Sequence, residues 1–133
     1  MAERRPKRKN TARALAVEAA RIADDTNCTD IVVLDLRKVS PVTDYFVICT
    51  GTSDRQIRSA ADEIVAHGES IGQKVWRVAG QESAEWIVLD FVDVVVHLFD
   101  EAHRRYYDLQ LIWGAAPKVR WRRKASPGAP TRR

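Results

Sequence analysis

The sequence predicts a single α/β domain, with a mixed sheet of about five strands and helices that flank it. Short runs rich in β-branched residues, which suit strands, alternate with longer segments whose apolar residues recur every three or four positions. The predicted order is helix, strand, strand, helix, three strands and helix, which is typical of a layered fold. At 133 residues, the chain has the size of one domain with one core.

The first half of the chain is predicted to contain a helix followed by two strands. The helix covers 11–26, because small and aliphatic residues recur at helical spacing after Thr11 until Asn27 interrupts the pattern. A short β-branched run predicts a strand over 30–37. The run 44–50 is apolar on both sides, which is typical of a central strand in a covered sheet.

A second helix has a clear start signal. Ser53 and Gln56 have the spacing of a capping box, and an apolar stripe then continues to about Ile71. The turn 50–53 lies between a strand and a helix, where backbone amides can hold phosphate. Nucleotidyltransferases also need a nearby Asp-x-Asp pair for two metal ions, and no acidic pair has that placement here. We therefore predict a helix cap and a tight turn at this position.

The second half is predicted to contain three strands and a closing helix. The strands cover 74–80, 87–91 and 93–99, with a bend near Asp90 to Asp93 between the last two. The closing helix covers 100–112. Its apolar stripe is predicted to consist of Phe99, Ala102, Tyr106, Leu109 and Trp113.

The segment 84–113 carries more aromatic and apolar surface than one small core needs. Because successive side chains of a strand point to opposite sides, Ile87 and Leu89 share one side, which we interpret as core. Trp86 and Asp90 share the other side, and such a mixture of an aromatic residue and a carboxylate is typical of a surface that meets a partner. An alternative places Trp86 in the core, with its indole N–H bonded to Asp90.

Neighbouring residues extend this predicted surface. Arg104 and Tyr107 are placed beside Trp86, and tryptophan, tyrosine and arginine are the residue types enriched in interface hot spots. His97 is expected to end its strand with a hydrogen bond, close to the same aromatic cluster. His97 and His103 are six residues apart and lack the spacing of a helical metal pair, so neither a metal nor another cofactor is expected.

The other three tryptophans receive separate interpretations. Trp76 is expected to close the core, and Trp113 is expected to pack the closing helix. Trp121 lies in the basic run 118–124, where an aromatic ring between cations suits stacking on an unpaired base.

Most of the positive charge lies at the two ends of the chain. Residues 1–10 contain five basic residues and one acidic residue, and residues 118–133 contain seven basic residues and no acidic one, so the ends together carry +11. The segment 11–117 has ten basic and seventeen acidic residues, a net charge of −7. We expect disordered basic tails over 1–10 and 117–133, which either serve as solubilising ends or lie along nucleic-acid phosphates.

The two cysteines, Cys28 and Cys49, are predicted to be buried and reduced. The sequence shows neither a signal peptide nor an apolar run of membrane length. We therefore expect a cytoplasmic protein without a membrane partner.

Two blocks of the sequence resemble one known family. DYFVICTGTSDRQ followed by AADEI, and then SAEWIVLDFVDVVVHLFDEAHRRYYDLQLIW, are similar in order and spacing to the ribosomal silencing factors, also called Iojap-like proteins, over about 11–116. The resemblance implies a nucleotidyltransferase-like fold without the catalytic acids, and a non-enzymatic factor that forms homodimers when free. It also implies binding to the large ribosomal subunit through its protein L-fourteen, which blocks joining of the small subunit.

The same resemblance implies roles for individual residues. Trp86 and Tyr107 would contact the ribosomal protein, with Asp90 and Arg104 as polar neighbours. The negative charge of the segment 11–117 suits a basic ribosomal partner.

The chain departs from the family where Gln110 and Ala115 replace acidic residues that are frequent near the closing tryptophan. Both basic tails lie outside the shared domain, so their contact with ribosomal RNA is expected from charge alone. We predict a translational repressor. The alternatives are a nucleotide-handling enzyme of the same fold and an RNA-binding module that works through its basic tails.

Overall fold

The computed structural model describes residues 4–106 and 116–123, and its element order agrees with the predicted one. The elements are α1 Arg4–Asp25, β1 Thr29–Asp35, β2 Tyr45–Gly51, α2 Asp54–Ser70, β3 Arg77–Ala79, β4 Trp86–Asp90, β5 Val94–Asp100 and α3 Glu101–Tyr106.

The five strands form one mixed sheet, as predicted, and their order in the sheet is β1-β2-β5-β4-β3. Strands β2 and β5 run parallel, and the other neighbouring pairs are antiparallel. The parallel pair lies in the interior of the sheet, and β2 is buried along most of its length. This agrees with the prediction of a covered, interior strand from the doubly apolar run 44–50.

Helices α1 and α2 pack on one face of the sheet and form the larger core with it. The buried stripe of α1 consists mainly of alanines, which lets the helix backbone approach the strands closely. From α2, the same core receives Ile57 and Ile64. From β4, it receives Ile87 and Leu89, so the predicted core side of that strand is confirmed.

Helix α1 begins at Arg4 rather than at the predicted Thr11. The expected disorder of residues 1–10 is therefore wrong for the backbone of residues 4–10. The physical reason is that arginine and lysine are good helix formers, and Pro6 falls in the first turn, where its missing N–H costs nothing. The helix ends at Asp25, one residue before the predicted end at 26, and Asn27, the predicted stop, adopts a left-handed φ of 70°.

The start of α2 confirms the predicted cap. Ser53 is the N-cap, and its Oγ accepts a hydrogen bond of 3.1 Å from the backbone N–H of Gln56. The Gln56 side chain accepts from the N–H of Thr52 at 2.6 Å, and it donates to the carbonyls of Thr26 and Asn27 at 3.0 Å each. This one side chain therefore connects the start of α2 to the residues that follow α1.

Strand β3 covers only 77–79 instead of the predicted 74–80, and Trp76 lies outside it with 66% of its surface exposed. The prediction that Trp76 closes the core is therefore wrong. The reason is that β3 is the edge strand and pairs only with β4, so the short sheet edge leaves no cover for a residue that precedes it.

Residues 116–123, which we call the strap, follow the outer edge of β1. The N–H of Asp35 donates to the carbonyl of Pro117, and the N–H of Val119 donates to the carbonyl of Val33, both at 2.8 Å. Trp121 is 8% exposed, and its Nε1 donates to the carbonyl of Ile31 at 3.3 Å.

The strap corrects two sequence-based expectations. Disorder over 117–133 is wrong for residues 117–123, because an extended segment here satisfies the backbone groups of an edge strand. The ring of Trp121 is buried and so is not available to stack on a base. With the strap included, residues 11–123 contain fourteen basic and seventeen acidic residues, a net charge of −3 instead of −7.

The closing helix is described only over Glu101–Tyr106, and Phe99 belongs to β5 rather than to that helix. Tyr107, Leu109, Gln110, Trp113 and Ala115, which the sequence analysis singled out, lie outside the described residues. Within the described ranges, the structure contains no helix with the length and apolarity needed to cross a membrane.

Candidate protein-interaction surface

The sheet has a second face, opposite α1 and α2, on which aromatic side chains gather. The strand registers place Trp86 against Phe99, and Phe46 and His97 on the same side. We call the side chains of Phe46, Trp86, His97 and Phe99 the aromatic face. Phe46 and Trp86 remain partly exposed, whereas the two β5 residues are buried.

Trp86 is held in place by two neighbours. Its ring stacks on Phe99, with ring centroids 4.9 Å apart. Its indole Nε1 donates a hydrogen bond of 3.1 Å to Nδ1 of His97. The His97 ring meets Phe46 edge-on at a centroid distance of 4.6 Å, which supports the imidazole from the other side. Trp86 is therefore a partly exposed ring held in a fixed position, with its polar atom already satisfied.

His97 is a neutral imidazole in this environment. It is 7% exposed, and burial lowers its pKa to about 4. Because an indole N–H can only donate, Nδ1 of His97 is the acceptor and the ring proton lies on Nε2. Nε2 is buried and has no hydrogen-bond partner among the described residues. The predicted hydrogen bond of His97 and its place in the aromatic cluster are confirmed. The expectation that His97 ends its strand is wrong, because β5 continues to Asp100.

Asp90 lies on the same face of β4 as Trp86 but at the other end of the strand. They are four positions apart, a distance of about 13 Å along a strand. Asp90 accepts a hydrogen bond of 2.8 Å from the backbone N–H of Val92 and so fixes the predicted bend between β4 and β5. The alternative in which the Trp86 indole bonds to Asp90 is therefore wrong, because the indole reaches His97 instead.

Trp76 lies beside Asp90, outside the aromatic face, which the sequence did not indicate. Its backbone N–H donates to the carbonyl of Asp90 at 2.8 Å, and the guanidinium carbon of Arg77 lies 5.8 Å from its ring centroid. Val92, in the adjacent bend, is 49% exposed. The signal that could have shown this is the shortness of the third apolar run, which contains two charged residues, Lys74 and Arg77.

Arg104 lies near the Trp86 end of the face. Thr50 pairs with Phe99 in the sheet, and Phe99 pairs with Trp86. The Nη1 of Arg104 donates to Oγ1 of Thr50 at 2.7 Å, and the side chain is only 9% exposed. The structure thus brings Arg104 and Trp86 to one end and Asp90 to the other, and the fourth predicted contact, Tyr107, lies outside the described residues.

The turn 50–53 has a structural explanation. An added Cβ at Gly51 would lie 2.4 Å from Cγ1 of Ile57, so close packing of the helix start on the strand end requires glycine there. Together with the Ser53 cap, this confirms the predicted cap and tight turn. In residues 4–106 and 116–123, no three His, Cys, Asp or Glu side chains gather closely enough to hold a metal ion.

Cys28 and Cys49 are free and buried, as predicted. Burial raises the pKa of both thiols, so both are neutral at physiological pH. A buried neutral thiol is a poor nucleophile, and the two residues serve as small core side chains.

Comparison with known proteins agrees with this architecture. The family model described as "Ribosomal silencing factor during starvation" matches residues 9–132. The chain is 42% identical over 99 residues to the ribosomal silencing factor of Bacillus subtilis, a match that covers 74% of this chain and 84% of that protein. It is also 36% identical over 109 residues to the chloroplastic protein Iojap of Zea mays, covering 80% of this chain and 46% of that protein.

Two solved structures share the fold of this chain. A crystal structure of a protein from Chromobacterium violaceum superimposes with a TM-score of 0.71 at 33% sequence identity, covering 79% of this chain and 85% of that one. A crystal structure of a protein from Bacillus halodurans superimposes with a TM-score of 0.67 at 36% identity, covering 80% of this chain and 94% of that one. The chain therefore belongs to the ribosomal silencing factor family.

Proposed function

We propose that this protein binds the large ribosomal subunit through its protein L-fourteen and so prevents the small subunit from joining. One observation supports this most strongly: the partly exposed Trp86, fixed by Phe99 and His97 on the sheet face opposite α1 and α2. An aromatic side chain that is ordered before binding loses little conformational entropy when a partner covers it. Such residues are the ones that dominate interface energies.

The remaining contacts belong to the same proposal. Asp90 would offer a carboxylate to a basic ribosomal protein at one end of the surface, and Tyr107 would extend the surface beside Trp86. Arg104 would act mainly by holding α3 to β2, because its guanidinium is buried against Thr50. Removal of Arg104 should therefore disturb the position of the surface more than it removes a direct contact.

We further propose that repression is steric and needs no catalysis, that the protein acts in the cytoplasm, and that it forms a homodimer when it is not on the ribosome. The buried thiols and the buried His97 are neutral, so none of these three side chains supplies an activated nucleophile or a general base. Contact between the basic ends and ribosomal RNA is also part of the proposal, since the ends 1–10 and 118–133 carry +11 together.

Sedimentation with isolated ribosomal subunits tests the proposal. The wild-type protein should sediment with large subunits and not with small ones. Trp86→Ala should weaken this binding roughly thirtyfold, since a hot-spot truncation costs about 2 kcal/mol or more. Trp76→Ala is the matched control, because it removes an equally large and more exposed ring that the proposal does not place at the centre of the contact.

Thermal unfolding of both variants separates a lost contact from a lost fold. Normal large-subunit binding by Trp86→Ala would contradict the proposed surface, and an equal loss in Trp76→Ala would move the contact to the Asp90 end. Magnesium-dependent nucleotidyl transfer by the purified protein would support the enzyme alternative instead.

A further inference from the structure

The strap sorts its side chains by chemistry. Val119 and Trp121 are 7% and 8% exposed and pack into the core. Lys118, Arg120 and Arg122 alternate with them and are exposed. Since alternate side chains of an extended segment point to the same side, Lys118 and Arg120 lie about 6.6 Å apart along one side of the strap. Arg122 follows them at a bend, and we call these three cations the row.

The backbone beneath this row is fixed at several points. In addition to its hydrogen bonds with β1, the strap is held by the Nε of Arg21, which donates to the carbonyl of Trp121 at 2.7 Å. Arg123 donates to both carboxylate oxygens of Asp25 at 3.3 Å. The row is therefore presented on an ordered support, and a ligand does not have to order it first.

The charges of the row are not neutralised within the described structure. Arg123 is paired with Asp25 and Glu18, whereas Lys118, Arg120 and Arg122 form no ion pair with any described residue. The guanidinium of Arg122 lies 4.8 Å from the ring centroid of Trp121, an arrangement that orients it and leaves its N–H groups available.

Further basic groups continue the surface past the start of the strap. A cavity of about 370 Å³ opens there, lined by Asp35, Arg37, Lys38 and Pro117. Arg37 is occupied by a bidentate ion pair with Asp35, at 2.9 and 2.7 Å, which lowers the pKa of that carboxyl group. Lys38 is exposed and adds a cation to the same edge of the molecule.

We propose that this row binds the phosphate backbone of RNA, and that it reads charge and spacing rather than base sequence. Neighbouring exposed cations without an ion-pair partner in the described structure suit successive phosphates of one strand, and arginine can donate two hydrogen bonds to each. Trp121 is buried, so this ring does not contribute base stacking beside the row. RNA is the polyanion that a member of a family named for the ribosome would meet. This inference rests on the RNA contact proposed above for the basic ends. It assigns that contact to Lys118, Arg120 and Arg122.

Binding of a labelled single-stranded RNA oligonucleotide by fluorescence anisotropy, at a series of salt concentrations, tests the inference. The variant K118Q/R120Q/R122Q removes the row but keeps Val119 and Trp121. Its affinity at low salt should fall at least about tenfold, and the slope of log affinity against log salt should decrease by about 2, because each lost phosphate contact removes roughly 0.7 from that slope.

Two controls remove the same charge elsewhere. The variant R55Q/K74Q/R77Q takes three exposed cations from other parts of the surface, and truncation after residue 123 removes Lys124, Arg132 and Arg133. The RNA affinity of both variants should stay within about threefold of that of the wild type, because both variants keep the row intact. An equal loss of RNA affinity in the row variant and in both controls would show that only net charge matters. A loss of affinity confined to the truncated protein would assign the contact to residues 124–133. Either result overturns the inference.

A polyglutamate chain of matched charge is the second probe. Binding as tight as that of RNA, with the same dependence on the row, would indicate a general polyanion site and would also overturn it. The RNA-binding test of the row can be separated from the large-subunit test of the aromatic face. Trp86→Ala should leave binding of the RNA oligonucleotide unchanged while it weakens large-subunit binding. Failure of the Trp86 experiment alone would leave the strap in place, and failure of the RNA experiment alone would leave the aromatic face in place.

Discussion

The two faces of this sheet differ in composition, although alternate residues of the same strands build both. On β4, Ile87 and Leu89 are fully buried under α1 and α2, whereas Trp86 and Val88 remain partly exposed on the opposite side. The helix-covered face is aliphatic and alanine-rich, which suits close packing without directional contacts. The aromatic face carries rings, a buried imidazole and a hydrogen bond between side chains.

This difference separates two tasks. The helix-covered face supplies most of the free energy of folding, because it removes the larger apolar area from water. The aromatic face contributes less buried area but has side chains in fixed positions. A surface prepared in this way can bind without first rearranging, which is the property that the proposed ribosomal contact requires.

The largest expected effect comes from the only buried histidine among the described residues, which lies on the aromatic face. Burial lowers the pKa of His97 from its ordinary 6.5 to about 4. Between these pH values the unfolded chain binds a proton on His97 that the folded protein does not bind. The contribution of His97 to the free energy of unfolding is therefore fully present above pH 6.5 and decreases as the pH falls toward 4. The loss attributable to His97 should reach about 3 kcal/mol.

Urea unfolding of the wild type and of His97→Phe, at several pH values from 7.5 to 4, measures this loss. The variant should lack the histidine contribution, while carboxyl groups such as Asp35 contribute to the pH dependence of both proteins. Parallel stability curves for the two proteins would mean that His97 does not sit buried and neutral beneath Trp86.

A matched pair of valines compares the two faces directly. Val96 is fully buried under the helices, and its neighbour Val95 is partly exposed on the opposite face. Val96→Ala should lower the free energy of unfolding by about 2 to 3 kcal/mol, because it removes buried methyl groups and leaves a cavity. Val95→Ala should cost about 1 kcal/mol or less, since solvent already reaches that position. Equal costs in urea unfolding would show that both faces are sealed to the same extent.

How much of this organisation the sequence revealed depends on the length of each element. Strands β4 and β5 are long enough for the period-two alternation to show, and the prediction that Ile87 and Leu89 form the core side is confirmed. Strand β3 has only three residues, too few to define a face, and the interpretation of Trp76 as a core residue failed there.

The prediction of disorder for the strap failed for a different reason. Its basic residues gave a composition typical of disorder, and they concealed the alternation of Val119 and Trp121 with the cations. A non-local pairing with the edge of β1 decides its structure, and no local pattern specifies that partner. The bond from Trp86 to His97 was likewise beyond sequence reasoning, because it depends on the register between β4 and β5.

The smallest expected effect concerns the helix-covered face at the start of α2. Ser53→Ala removes the Oγ that accepts from the N–H of Gln56, so one helical N–H loses its partner. The change should lower the free energy of unfolding by about 1 kcal/mol, or the melting temperature by roughly 4 °C for a domain of this size. Ser59→Ala, an exposed position inside the same helix, is the control and should leave stability unchanged or slightly raised, because alanine is the better helix former. Both variants should bind large subunits like the wild type, since the cap lies on elements that support the helix-covered face. A loss of binding in Ser53→Ala at unchanged stability would instead place the turn 50–53 in the contact and remove the separation of tasks between the two faces.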